Sequence, residues 1–434
     1  MSNGDLSYPE YKIEKKEVIY HTRKDLVDFA EACHLESQVL TAIEKKNHSL
    51  ISDKLVPTIL DLFSAFIKSD AMTRVKALPL YLRNQTAGHI LTRCLSHTVS
   101  SLEQSKDHSK AIDILTRLLD QNCFCHPYRG KWYERIIIDE ERHLKNPSGA
   151  VNAIVIGLQD DLVTSYMKFD LYSRAKKMMT GKKPLLKGNQ IPKSVREEYL
   201  DVEKCRKVTI ECPTLKKPLQ GRRCLFTNSD GTSIMRVEDV AMDHYKKTQG
   251  YSHGLHSESV VYHALLNVLL WDVIYTPLPD AFRFQHQNLP LDFTSSEHFY
   301  SRRKDVISER FESLKKMSKS QVDSEIDRIW SRYYGTACLV SWDNLDSNTL
   351  KQLVFCIGIN VLLSIFERML SNFRLNRSGF PDLIVWDPSF KKVKAIEVKG
   401  PGDSLSGKQV LWLDFFTSCG LPCEVCFVKA KSKE

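Results

Sequence analysis

The chain reads as an α+β protein, with an all-α, helical-repeat-like first part followed by an α/β core near the C-terminus. Three observations carry that reading. From Thr22 to about residue 178, apolar residues recur at helical spacing in short runs parted by brief polar turns. Residues 383–386 and 393–398 are instead short, strongly apolar runs, separated by the turn-forming cluster Asp387-Pro388-Ser389. A length of 434 residues exceeds one ordinary domain and fits two or three.

Residues 1–19 form a polar start that is expected to fray. Thr22-x-x-Asp25 has the form of a capping box, and Leu26, Phe29 and Ala30 give an i, i+3, i+4 face. Helical patterning continues through 55–67, 87–102, 109–119, 132–144, 150–158 and 161–178. An all-α stack of antiparallel pairs is expected over residues 20–200, although no clean repeat of fixed period appears. Lys176 to Lys193 is the expected linker. It carries Lys176, Lys177, Lys182, Lys183, Lys187 and Lys193, with Gly181, Pro184, Gly188 and Pro192 breaking regularity; a solvated connector, an import signal and a phosphate contact all fit. Residues 201–434 form the second domain. Short strands at 208–210 and 223–226 flank a basic turn with Lys216, Lys217 and Arg222. A helix follows at 237–247, then a Gly-Tyr-Ser-His-Gly turn. The run Val260-Val261-Tyr262-His263-Ala264-Leu265-Leu266 is apolar on nearly every face, which predicts a buried helix. Amphipathic helices are expected at 309–319 and 324–334, and one long helix or a pair over 348–375. The tail reads strand, strand, helix (about 406–419), strand (423–428), with Gly420 where a C′ glycine stops the helix.

Composition excludes several classes. Hydrophobic residues are 42% and charged residues 26%, enough for a packed core and unlike a disordered chain. The net charge of +9 is compatible with a phosphate-backbone partner without demanding one. Twelve irregularly spaced cysteines and no signal peptide argue against a disulfide framework and for a reducing compartment. Cys123-Phe124-Cys125-His126 and Cys423-x-x-Cys426 lack a second pair at zinc-finger spacing and read as structural thiols. The most apolar segment, residues 260–275, is too short to cross a membrane.

The chemistry concentrates in residues 379–428. Asp382 follows Gly379-Phe380-Pro381 and opens the first apolar run. Glu397 and Lys399 sit at i and i+2 of the returning strand, so alternation puts them on one face and sends Val398 to the other, with its carbonyl near the carboxylates. Two acidic oxygens, one carbonyl and one ammonium group match what Mg²⁺ or Mn²⁺ and a phosphate require. Taken alone, Asp382 also fits a turn residue, and Glu397 and Lys399 fit the solvent face of an edge strand.

The pattern resembles the PD-(D/E)xK nuclease core in its VRR-NUC version, and more closely the Fanconi-associated structure-specific DNA nuclease family. The likeness rests on Ile396-Glu397-Val398-Lys399-Gly400-Pro401 with Asp403, Leu405-Ser406, Lys408-Gln409 and Trp412-Leu413. It also rests on Trp342-Asp343, Pro290-Leu291-Asp292-Phe293, Ser301-Arg302-Arg303, Leu269-Leu270-Trp271-Asp272 and Arg129-Gly130-Lys131-Trp132. The resemblance implies a restriction-endonuclease-like α/β nuclease core. It implies 5′-flap endonuclease and 5′-to-3′ exonuclease activity on branched or flapped DNA in interstrand-crosslink repair, in the nucleus and beside Fanconi-pathway repair proteins. It carries an essential metal-binding glutamate onto Glu258, which otherwise reads as an acid in the first turn of the buried helix. Metal ligation is then expected from Glu258, Asp382, Glu397 and the Val398 carbonyl. Lys399 would align the nucleophile, Gln409 would orient the site and Lys408 would hold phosphate. A basic pocket for a 5′-phosphate falls on Arg129 and Lys131, where Lys131 stands in place of an arginine, and on Lys168, beside Met167 where the family can carry a histidine. Arg302, Arg303, Arg374 and Arg377 are candidate backbone contacts. The family's ubiquitin-binding zinc finger and SAP-type region are not found in these residues. Two alternatives stay open: a VRR-NUC enzyme for other branched DNA such as Holliday junctions, and a helical scaffold with a decayed core.

Overall fold

The computed structural model describes residues 7–180, 191, 193–199, 205–213, 226–227, 234–294 and 298–431. The chain divides into two compact units, Lys15–Asp201 and a second formed by Met1–Glu14 with Val202–Glu434.

The first unit is helical throughout its described residues. Helix Arg23–Glu44 opens on the expected capping box, in which the Thr22 hydroxyl accepts from the Asp25 amide and the Asp25 carboxylate accepts from the Thr22 amide. It packs on Ala87–Gln104, which in turn packs on His108–Asp120, and Arg129–Ile138 packs on Pro147–Gln159. The apolar faces close over Val39, Ile59, Leu95, Ile114, Leu118 and Ile154, all essentially withdrawn from water. Helix Arg129–Ile138 ends in a π-helical turn, Asp139–His143. Lys176 and Lys177, expected in a linker, belong to helix Ser165–Thr180. Lys182, Lys183 and Lys187 lie outside the described residues, as do Lys216, Lys217 and Arg222.

Among its described residues the second unit has seven strands: β1 (Arg206–Cys212), β2 (Phe226–Thr227), β3 (Ile234–Met235), β4 (His253–His256), β5 (Leu383–Asp387), β6 (Lys392–Lys399) and β7 (Cys423–Ala430). Five form one sheet in the order β1-β7-β6-β5-β4, and β2 pairs with β3. Neighbours β4, β5 and β6 are antiparallel, while β7 runs parallel to both β6 and β1. Alternation sorts the side chains to two cores. Leu383, Val385, Ile396 and Val398 meet Val240, Ala241 and Tyr245 of helix Val237–Lys247. Ile384, Trp386, Val393 and Ala395 belong to the larger core of Leu265, Phe366 and Trp412. Covering on both faces is why β5 and β6 read as mostly apolar runs and not as strict alternation.

Two features differ from the sequence reading, while residues 348–375 take the helix pair that it allowed. Residues 7–14 do not fray: Ser7 bridges to Thr336, and the Tyr11 ring stacks on Phe282 at 3.9 Å. The Gly-Tyr-Ser-His-Gly turn runs directly into β4, so the sheet gains a strand. Residues 348–375 form the helices Ser347–Ile357 and Ile359–Ser371, bent by 102° at Gly358. Gly358 has φ +88°, in the left-handed region that suits glycine. No single described helix is long and apolar enough to cross a membrane.

Candidate active site

The turn before β5 is set by packing. Phe380 stacks against Tyr262 and Trp412, with ring centroids at 4.6 and 4.1 Å. Gly379 has φ +93°, and a Cβ there would meet Lys408 Cβ at 2.7 Å, so only glycine fits. The β5–β6 register pairs Leu383 with Ile396. Continued outward, it sets Asp382 opposite Glu397 and Pro381 opposite Val398. Pro381 has no N–H to exchange. The Val398 amide therefore donates to Asp382 Oδ2 at 2.8 Å. Its carbonyl, which in a strand points to the same side as its N–H, meets no amide from Pro381.

Glu397 is the centre of the arrangement and is 0% exposed. Its Oε1 accepts from Gln409 Nε2 at 2.5 Å and pairs with Lys399 Nζ at 2.8 Å. Among the described residues its Oε2 is buried and meets no N–H or hydroxyl donor, and the carboxyl otherwise faces the second acid, Asp382, to which it hydrogen-bonds. Burial, then the Asp382 charge, pushes the Glu397 carboxyl up to about 8, against the lowering effect of Lys399. Burial also raises Asp382, with the Val398 amide opposing. Gln409 ties the group together: its Oε1 accepts from Lys399 Nζ at 3.2 Å and from the Ser406 amide at 2.9 Å, closing a capping box at the start of helix Gly407–Cys419. A buried carboxylate oxygen that meets no N–H or hydroxyl donor, beside a second carboxylate and a strand-edge carbonyl, is a donor set that fits a hard divalent cation.

Glu258 is placed differently from the sequence reading. It does not lie in a first helical turn, because the helix is Val260–Leu269 with Ser259 as its N-cap. Glu258 occupies the turn after β4 with φ +36°, where a non-glycine residue is strained. The Ser257 and Glu258 amides both donate to the Asp382 carbonyl, at 2.9 and 3.3 Å, which holds that turn beside the site. The Glu258 side chain is exposed, and its charge raises Asp382. Glu258, Asp382 and Glu397 do not form a converged triplet: among the described residues the one His/Cys/Asp/Glu group with ligand atoms all within 4.8 Å lies in the helical unit. The sequence reading missed Glu238, whose charge raises Asp382 ahead of that of Glu258. Its position in the first turn of helix Val237–Lys247 has an ordinary local explanation, the helix dipole, which hid it.

The basic residues separate into two kinds. Arg129 is a correction: it is 6% exposed, and its guanidinium is used up inside the helical unit. Asp160 Oδ2 takes Nε at 2.7 Å and Nη2 at 2.6 Å, and the Gln121 and Leu119 carbonyls take the rest. Burial and these partners hold it within the unit and away from a substrate phosphate. Arg302 and Arg303 likewise bond Asp292, at 2.7 and 2.8 Å. Lys131 is exposed beside Glu134, and Lys168 is half-buried. Gly130 packs directly under Met167, which brings the backbones next to these two lysines together. Arg374 and Arg377 are exposed, and Lys408 Nζ reaches Ser378 Oγ at 3.1 Å. Among the cysteines, Cys123 and Cys125 are buried beside Arg83 and His89, and Cys205 and Cys423 approach within 3.6 Å as thiols.

A mixed sheet with two carboxylates and a lysine at the end of its central hairpin defines the class: a PD-(D/E)xK core of the VRR-NUC type. Comparison with known proteins agrees. Residues 317–430 match the VRR-NUC domain model, and residues 25–179 match the model for the TPR domain of Fanconi-associated nuclease 1. The chain is 32% identical to Fanconi-associated nuclease 1 of Danio rerio, over 99% of this chain and 44% of that protein. It is 31% identical to the Homo sapiens protein, over 98% and 42%. The chain belongs to the Fanconi-associated nuclease 1 family. It spans less than half the length of those relatives. The solved structure of paFAN1 bound to 1nt 5′ flap DNA with gap shares the fold, with a TM-score of 0.70 at 18% identity over 99% of this chain and 67% of that one.

Proposed function

We propose that the chain is a divalent-metal-dependent DNA phosphodiesterase, a structure-specific nuclease with 5′-flap endonuclease and 5′-to-3′ exonuclease activity serving interstrand-crosslink repair in the nucleus. The observation that carries this is the buried Oε2 of Glu397, which meets no N–H or hydroxyl donor among the described residues, beside Asp382, with Lys399 against the same carboxylate. The relatives' names and the flap DNA bound by the solved homologue support the substrate class.

Asp382, Glu397 and the Val398 carbonyl would hold Mg²⁺ or Mn²⁺, with Glu258 joining from its turn. When bound, the cation supplies Lewis acidity and a water acidic enough to attack phosphorus near neutral pH. Glu397 must be deprotonated to serve, so its raised pKa couples ion binding to proton release. Lys399, held between Glu397 and Gln409, orients the attacking water and offsets charge developing on the phosphate. Gln409 fixes both partners from a capped helix. Lys408, Arg374 and Arg377 hold the substrate backbone by charge, and Lys131 and Lys168 serve the 5′ end.

The test compares the chain with Asp382→Ala on a 5′ flap, a 3′ flap and a four-way junction with Mg²⁺. Cleavage of the 5′ flap by the unaltered chain alone is expected. Equal cleavage by both would defeat the site, preference for the four-way junction would defeat the flap assignment, and no cleavage by either would favour a scaffold.

A further inference from the structure

We propose that the helical unit carries a second cation site, of zinc type, formed by His108, Asp139 and His143. One ligand atom from each of the three lies within 4.8 Å of the others. His108 is the first residue of helix His108–Asp120, and Asp139 and His143 begin and end the π turn. The Leu144 amide closes that turn on the Asp139 carbonyl at 2.9 Å, an i→i+5 bond that widens the helix. Such turns cost regular hydrogen bonding and recur at functional sites.

The second observation is the carboxylate itself. Asp139 is 0% exposed; Oδ1 lies 3.0 Å from His108 Nδ1, and among the described residues Oδ2 meets no N–H or hydroxyl donor, its remaining neighbour being the carboxyl of Glu103, which hydrogen-bonds Asp139. The half-buried Glu103 borders the same carboxylate, and its own cation, Arg135, bonds it at 2.7 Å. Two acids, of which burial raises Glu103, therefore share one arginine in the pocket, and the exposed His143 ring stacks over His108 at 3.8 Å. A protonated His108 would account for Oδ1 alone. A cation accounts for Oδ2, and the His143 ring, now stacked parallel to His108, would join it by turning about its side-chain bonds. Two imidazoles and one carboxylate favour Zn²⁺ over Mg²⁺, and three protein ligands leave a fourth position for water or Glu103. The all-oxygen set around Glu397 favours the opposite choice, so the two units would take different metals.

The test uses the full chain stripped with a chelator and titrated with Zn²⁺ alone, then with Co²⁺ as a coloured stand-in. One equivalent giving the visible absorption of tetrahedral Co²⁺, displaced by Zn²⁺, is expected. Tm is expected to rise by about 5–10 °C at a hundredfold excess over Kd. His143→Ala, an exposed position, and the isosteric Asp139→Asn should each weaken binding about 10-fold or more. Asp382→Ala should keep the absorption band. Absence of Zn²⁺ uptake, uptake that survives both helical-unit substitutions, or a band lost in Asp382→Ala would each overturn the proposal.

Discussion

Arg129 and Glu397 are both charged groups buried where the sequence pattern pointed to function, and the structure treats them oppositely. Every nitrogen of the Arg129 guanidinium is bonded within its own unit, to Asp160 and to two carbonyls. Glu397 keeps one oxygen that meets no N–H or hydroxyl donor among the described residues, in a region that also disfavours its charge. A buried charge with all its partners supplied belongs to the fold. One left short of positive charge is held ready for a ligand. Motif likeness marked both residues, and only the partner inventory tells them apart.

Substitution at each position should separate the two roles most widely. Glu397→Gln removes a cation ligand and the partner of Lys399, and cleavage should fall about 10²–10³-fold. Its thermal stability without metal should change little, because the substitution relieves the crowding with Asp382 but leaves the buried Lys399 without its charged partner. Arg129→Ala should do the reverse. It strands Asp160 and the two carbonyls, costing about 3–5 kcal/mol of stability in denaturant unfolding, with cleavage per folded molecule unchanged. A stable but inactive Arg129→Ala would return Arg129 to the DNA interface and erase the contrast.

Two smaller effects sharpen the nuclease side. Gln409→Ala leaves the carboxylates in place and frees Lys399 and Glu397 from their common clamp, so cleavage should drop about 10–100-fold, the range for residues that orient ligands. The pH response follows from Glu397, whose carboxyl is raised from about 4.5 to about 8. An acid raised in the folded state contributes stability that is present below the unfolded value and lost as pH rises through the folded one. Metal-free stability should therefore fall between about pH 4.5 and 8. Over the same window affinity for Mn²⁺ should climb about tenfold per pH unit, since binding releases one proton. Calorimetry at several pH values checks both, and a metal-free protein with no slope there would remove the strained-carboxylate account.

Much of this was legible in advance because it is local. The capping box at Thr22, the stop at Gly420 and the β5–β6 hairpin each depend on residues a few positions apart. The Asp382, Glu397 and Lys399 set followed from strand alternation. What escaped is non-local. β4 is four residues long, half-exposed and contains a glycine, so its own pattern carries no strand signal, and only pairing with β5, over a hundred residues on, makes it one. Asp160 is invisible as the partner of Arg129 until the helices pack. Glu258 was recognised by its neighbours in sequence, yet its place in a strained turn is set by the Asp382 carbonyl.

The finest distinction concerns Lys131 and Lys168, which flank the Gly130–Met167 contact where the 5′ end was assigned. Neither is buried, and among the described residues Lys131 has only a long ion pair to Glu134 at 3.4 Å, so both are placed to meet phosphate in the way Arg129 is not. A lysine acts as a point charge and lacks the planar fork of arginine, so each contact should be weak and without geometry. Lys131→Ala and Lys168→Ala should leave folding unaltered and lower the salt dependence of flap binding by about one unit of slope each. The decisive comparison is a flap with and without its 5′-phosphate. If both lysines serve that end, the substitutions should erase the preference for the phosphorylated flap while binding of plain duplex stays the same. If the duplex weakens equally, they belong to the general backbone surface and the 5′ pocket lies elsewhere.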